Sequence, residues 1–137
     1  MDRRGPRIAL RRADRQTLLA IAYGGLLSDT RGAGALLYEV SRADLIGDDA
    51  KVPQTATLWS RVLFLDDISG SHRMITLVPP EQAHGSSARV SVLSPVGAAL
   101  VGLSKGQRIS RPDRHGGELS LTVLTVLPPH QGPGGQT

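Results

Sequence analysis

The sequence predicts an α+β protein, in which a short antiparallel helical hairpin precedes a sheet wrapped around one further helix. Three observations carry this. Residues 13–46 hold two apolar stripes at helical period, interrupted by a glycine-containing turn. From residue 58 onward the pattern changes to the alternation of strands. Within that half, residues 90–109 (VSVLSPVGAALVGLSKGQRI) read as strand, Ser-Pro corner, helix, glycine turn and strand.

In chain order, residues 1–12 form a basic arm carrying Arg3, Arg4, Arg7, Arg11 and Arg12, expected to be a disordered end. Residues 13–47 are the hairpin, a short coiled coil. Leu18, Leu19, Ile21 and Ala22 give a first helix over 13–22 its apolar side, and Asp14 suits the positive end of its dipole. Gly24-Gly25 and Ser28-Asp29 are turn residues, so Ser28, Asp29, Thr30 and Arg31 mark the tip. Ala33, Leu36, Leu37, Val40 and Ala43 hold the period of a second helix over 33–46. At ~1.5 Å per residue these helices span only about 15–22 Å, and their short connection folds them back on each other. Residues 48–57, with Asp48-Asp49 and Pro53, read as a linker in which little can be buried; the domain boundary is placed there.

Residues 58–65 and 73–78 read as strands, and DDISGS at 66–71 is the turn chemistry of a hairpin between them. Pro79-Pro80 ends the second strand, because proline cannot donate to a ladder. After a polar loop over 81–87, Val90 and Val92 alternate with Ser91. The Ser94 hydroxyl can cap a helix that opens on Pro95, where proline loses no hydrogen bond. Val96, Ala99, Leu100 and Leu103 make one apolar stripe, so this helix is expected in the concave face of the sheet. Gly102 or Gly106 supplies the positive φ that stops it. Ile109 begins the next strand, residues 114–117 turn the chain, and Leu119, Leu121 and Val123 alternate along a long final strand. Its phase slips at Val123-Leu124, the mark of a bulge or of burial on both faces. The sheet unit thus spans 58–127, and residues 128–137 (PPHQGPGGQT) read as a disordered tail.

Composition narrows the function. The chain of 137 residues has no cysteine, which removes disulfides and thiolate metal sites and makes a reducing cytoplasm the plainest home. No apolar run reaches membrane-spanning length, and the basic start lacks the apolar core of a secretion signal, so no membrane partner is expected. The net charge of +4 equals that of residues 1–15, with six arginines against two aspartates, so the body is neutral. Such an arm could contact nucleic acid, DNA included, and this is the alternative functional reading. His72, His84, His115 and His130 have no metal-ligand spacing, and Asp48-Asp49 and Asp66-Asp67 are adjacent pairs that point apart on extended chain. GAGALL at 32–37 lacks the third glycine of a dinucleotide loop and follows a turn. No nucleophile elbow or phosphate-binding loop is present. The expectation is no catalytic, cofactor or metal site and no small-molecule substrate. Trp59 and Phe64 have opposite parity on their strand, so they cannot form a stacking platform for single strands.

SVLSPVGAALVGL at 91–103 resembles the C-terminal domain of the GreA/GreB transcript cleavage factors. SRVLFLDD at 60–67, MITLVPPEQA at 74–83, LTVLTV at 121–126 and LLYEVSRADLI at 36–46 are similar to the shorter Rnk branch of that superfamily, the regulators of nucleoside diphosphate kinase. The resemblance covers about residues 8–127. It implies an FKBP-like domain, an antiparallel sheet half-wrapped around one helix, and RNA polymerase as partner. In this family the C-terminal domain docks on the rim of the secondary channel and the hairpin enters it. The docking residues so implied are Leu93, Ser94, Pro95 and Val96; cleavage factors commonly have an acid where Leu93 stands, with Ser94 and Pro95 retained here. Their long coiled coil also ends in acidic residues that help hold a catalytic magnesium, whereas the tip here, GGLLSDTRG at 24–32, offers one carboxylate, Asp29. The resemblance therefore implies a non-enzymatic polymerase-binding regulator that does not stimulate cleavage and competes with other channel-binding factors. A prolyl isomerase needs an aromatic-lined pocket, and Trp59 and Phe64 are the only aromatics after the linker.

Overall fold

The computed structural model describes residues 5–47, 54–112 and 116–128. Helices α1 (Arg12–Gly24) and α2 (Thr30–Arg42) form the expected hairpin. Helix α2 starts earlier than its apolar stripe, because Asp29 caps it: one carboxylate oxygen accepts the Gly32 N–H at 2.9 Å. It also stops earlier. At Ala43 the chain becomes extended, and β2 (Asp44–Ile46) pairs in parallel with β1 (Ala9–Arg11). Since β1 leads into α1 and α2 leads into β2, this pair ties the start of one helix to the end of the other and closes the base of the hairpin.

Strand β1 corrects the expectation of a disordered arm over 1–12. Ile8 and Leu10 are buried, the Ala9 N–H donates to the Gly102 carbonyl at 3.2 Å, and Asp44 N–H donates to the Ile8 carbonyl at 2.9 Å. Arg7 pairs with Asp44 at 2.9 Å, Arg11 lies in β1 and Arg12 opens α1. The charge of this segment masked a two-residue apolar period, Ile8 and Leu10, of the kind that buries one face of a strand. Arg3 and Arg4 lie outside the described residues.

The second sheet contains β3 (Arg61–Asp66), β4 (His72–Val78), β5 (Arg89–Ser91), β6 (Arg108–Pro112) and β7 (Glu118–Leu127), in the order β5-β4-β3-β7-β6. Strands β3 and β4 form the expected hairpin. The sheet is mixed, not antiparallel throughout: β5 runs parallel to β4. Pro79-Pro80 deflects the chain into a short 3-10 turn, Pro80–Gln82, and the loop that follows returns it beside β4 in the same direction. Strand β3 begins at Arg61, later than residue 58, because Trp59 adopts a positive φ of 68° in a turn and the Ser60 hydroxyl accepts the Thr57 N–H at 3.0 Å. Ala56, expected in a solvated linker, is fully buried, and its N–H and carbonyl bond to Leu103 and Gly102 at 2.8 Å each. Residues 48–53 of that linker, residues 114–115 of the expected turn and residues 129–137 of the tail lie outside the described residues.

The phase slip in the last strand is a bulge. Phe64 opposes Val123 and Leu63 opposes Thr125, so Leu124 is the extra residue. It inverts the alternation, which keeps Leu121, Val123 and Val126 all on the core side. Helix α3 (Pro95–Leu100) lies against β5, β6 and β7 on one side and against α2 on the other. One hydrophobic core therefore runs from Leu18 and Leu36 of the hairpin through Ala99 and Leu100 to Phe64 and Val123 of the sheet. Gly102, at φ +83°, ends α3 and takes Ile8 against its bare Cα; a side chain there would strike Ile8. No helix among the described residues is long and apolar enough to cross a membrane.

Asp67, at the β3 turn, accepts hydroxyl hydrogen bonds from Ser120 at 2.8 Å and Thr122 at 2.9 Å, and Arg108 stands 3.2 Å away. Partial burial raises its carboxyl, but these donors and the Arg108 charge outweigh it and hold the group below the ordinary aspartate value. A group lowered in this way stabilises the fold above its unfolded pKa, and that contribution is lost as pH falls through the folded one. Asp67→Asn should therefore cost about 1 kcal/mol at neutral pH in urea titrations. The gap to wild type should close below about pH 4.

Candidate docking surface

The Ser-Pro corner is a hydrogen-bonded knot. The Ser91 hydroxyl accepts the Leu93 N–H at 3.0 Å, and the Ser91 carbonyl accepts the Ser94 N–H at 3.0 Å and the Ser94 hydroxyl at 2.7 Å. The Ser94 oxygen in turn accepts the Gly97 N–H at 3.0 Å, which caps α3 as its sequence predicts. Only glycine fits at 97, because a Cβ would collide with the Ser91 carbonyl. Pro95 is exposed on this frame, and Ser94 and Val96 are half-buried. Leu93 is the exception among the four expected docking residues. It is 6% exposed, turned inward beneath the hairpin turn, where a Cβ on Gly25 would stand 3.0 Å from its Cδ1. Its side chain lies in the walls of the two adjoining cavities and not on the outer surface.

The hairpin tip lies against this corner. Gly32 packs so closely on the Leu93 carbonyl that a methyl group could not be inserted. Ser28 and Arg31 are exposed, Thr30 donates its hydroxyl to the Leu26 carbonyl at 2.6 Å, and the Asp29 carboxylate is engaged as the α2 cap. The two candidate sites, which the sequence left separate, thus form one surface with a cavity of about 490 Å³ between them, lined by Gly25, Ser28, Asp29, Glu81, Leu93 and Ser94.

A groove of about 530 Å³ lies on the other side of the contact, between α2, α3 and β6. Gly32, Ala35, Ala98 and Ala99 form its floor; Leu93, Pro95, Pro112 and Leu119 are its apolar walls. Tyr38, Glu39 and Arg111 close one end, and Arg31 stands on the rim. Glu39 is 3% exposed and fully engaged. One oxygen accepts Arg42 Nε at 2.7 Å; the other accepts Arg111 Nη2 at 2.6 Å. Arg42 also donates to the Pro6 carbonyl at 2.6 Å, and both guanidinium groups lie over the Tyr38 ring. Sequence reasoning missed this cluster. Its signal was a carboxylate between Leu36 and Val40 on the apolar stripe of α2, which demands a buried cation from elsewhere. Among the described residues no group of three or more His, Asp or Glu is placed to hold a metal; His115 and His130 lie outside them.

Comparison with known proteins finds a match to the family described as transcription elongation factor, GreA/GreB, C-terminal, over residues 51–128. The regulator of nucleoside diphosphate kinase of Escherichia coli K12 is 39% identical over 88 residues, covering 64% of this chain. The match spans only 62% of that relative's own length. Transcription elongation factor GreA of Chloroflexus aggregans is 30% identical over 127 residues, 87% of this chain and 80% of that one. Among solved structures, the GreA/GreB elongation factor from Nitrosomonas europaea is similar with a TM-score of 0.66 at 31% identity, over 90% of this chain and 99% of that one.

Two substitutions test the seam between hairpin and sheet. Gly32→Ala should destabilise the fold by about 2 kcal/mol through backbone collision, with faster hydrogen exchange across 25–32 measured at native pH. Glu39→Gln should cost about 3 kcal/mol in chemical denaturation, since two largely buried guanidinium groups lose their counter-charge.

Proposed function

The chain belongs to the GreA/GreB C-terminal-domain family, and on that premise we propose that it is an RNA polymerase-binding transcription regulator that docks near the secondary channel and does not stimulate transcript cleavage. It works in the cytoplasm as a regulator, not as an enzyme. The observation that carries this reading is the Ser94-Pro95 corner, held rigid by the Ser91 carbonyl with Pro95 turned outward. A preset corner of this kind docks without first ordering a loop.

The second half of the proposal rests on Asp29. Holding a catalytic divalent ion takes several oxygen ligands converging on one point. The tip offers one carboxylate, one oxygen of which already accepts the Gly32 N–H, and the tip itself is packed on the corner. Each hairpin helix is also only about 20 Å long. The hairpin would therefore flank the docking face and obstruct the channel entrance, in competition with other factors that bind there. The alternative, nucleic-acid contact through a free arginine-rich arm, gains no support from the described residues, where Arg7, Arg11 and Arg12 belong to the folded unit.

Immobilised wild-type protein should retain core RNA polymerase, and Pro95→Asp should weaken retention by about tenfold or more; equal binding would mean the docking face is misassigned. Added to stalled elongation complexes, the protein should leave transcript cleavage at the buffer level, and clear stimulation would overturn the role given to Asp29.

A further inference from the structure

We infer that the cavity between the hairpin tip and the Ser-Pro corner receives a basic side chain, lysine or arginine, from the polymerase surface that seats on the corner. This inference rests on the docking reading and deepens it. Two features of the cavity specify the side chain, and a third names its source.

The first is charge. Asp29 of the tip and Glu81 of the 3-10 turn both line the cavity, and no described residue of its wall is basic. One Asp29 oxygen accepts the Gly32 N–H, and neither carboxylate is in an ion pair among the described residues. The wall therefore carries negative potential, and an incoming cation meets two carboxylates without a competing positive charge. Both acids are exposed, so salt screens the attraction.

The second is shape. The volume, about 490 Å³, falls in the range that takes a side chain or a small ligand. Ile21, Pro80 and Leu93 make apolar stretches of the wall beside the two acids. A long basic side chain suits both kinds of surface: its aliphatic stem packs on the apolar stretch and its charged head reaches the carboxylates. A divalent ion does not suit them. It needs several converging oxygen ligands, and among the described residues no group of three or more His, Asp or Glu supplies them.

Continuity makes the side chain a polymerase one. Leu93 and Ser94 belong both to the Ser-Pro corner and to the cavity wall. A protein seated on the corner lies beside the cavity mouth, and a basic residue at that edge of the contact enters it.

The double variant Asp29→Asn, Glu81→Gln tests this directly. Asparagine caps a helix as aspartate does, and Glu81 is exposed. The variant should therefore keep its circular dichroism and thermal midpoint. It should lose core-polymerase affinity by about tenfold, and its affinity should fall less steeply with added salt than that of wild type. Glu81→Lys leaves the α2 cap untouched and should weaken binding by at least as much. If wild type fails to bind polymerase, the docking reading falls and the cavity contact with it. If wild type binds and Pro95→Asp does not, but both acid variants bind with wild-type affinity and salt dependence, the docking reading stands and the cavity inference is overturned. Spermidine retained by wild type in native mass spectrometry and lost from the double variant, with polymerase affinity unchanged, would also overturn it.

Discussion

The structure depends on one seam: the burial of α3 between the sheet and the hairpin. A six-residue helix has no stability of its own. It exists because Ala98, Ala99 and Leu100 are covered on every side, by β5, β6 and β7 beneath and by α2 above. The small residues set the distance. Glycine at 32 lets α2 approach the Leu93 carbonyl, and glycine at 97 lets α3 approach the Ser91 carbonyl. With those two close approaches fixed, the tip of the hairpin and the Ser-Pro corner have only one possible relation.

The far end of the seam is fixed by charge. Glu39 joins Arg42 of its own helix to Arg111 of β6, and Arg42 reaches on to the Pro6 carbonyl. A buried ion cluster is weak evidence for stability, because the desolvation of the charges offsets much of their attraction. Its effect is on registry. An apolar seam tolerates sliding, whereas a carboxylate with two specific guanidinium partners admits one alignment of α2 on β6. The packed glycines at the tip and the ion cluster at the base together make the hairpin part of the body, with the Ile8–Gly102 contact as a third tie.

Much of this was legible in the residues. The Ser94 cap, the Pro95 helix start, the β3–β4 hairpin and the bulge at Leu124 each follow from local chemistry, and local chemistry is visible in a single sequence. The features that were not legible are products of distance. Ile8 and Leu10 are too few to announce a strand until Asp44–Ile46 is there to pair with them. The parallel pairing of β5 depends on the path of a loop. The inward turn of Leu93 depends on Gly25 and Gly32, far away in the chain, and a leucine beside an exposed Ser-Pro reads equally well as part of the surface. Glu39 looked like a flaw in a helix stripe until Arg111, 72 residues on, supplied its partner.

The residue at 93 and the shortness of the hairpin are physically coupled. An acid at that position has to face water or a cationic partner, because burying an unpaired carboxylate costs several kcal/mol. It would hold the space over the corner open. Leucine does the opposite: its side chain is favourable only when covered, and the turn at Gly25 covers it. A hairpin whose helices are 13 residues each is short enough for its tip to reach this leucine while its base is pinned at Ile8 and Glu39. The buried Leu93 side chain thus draws the tip onto the Ser94-Pro95 corner, and tip and corner become one continuous surface.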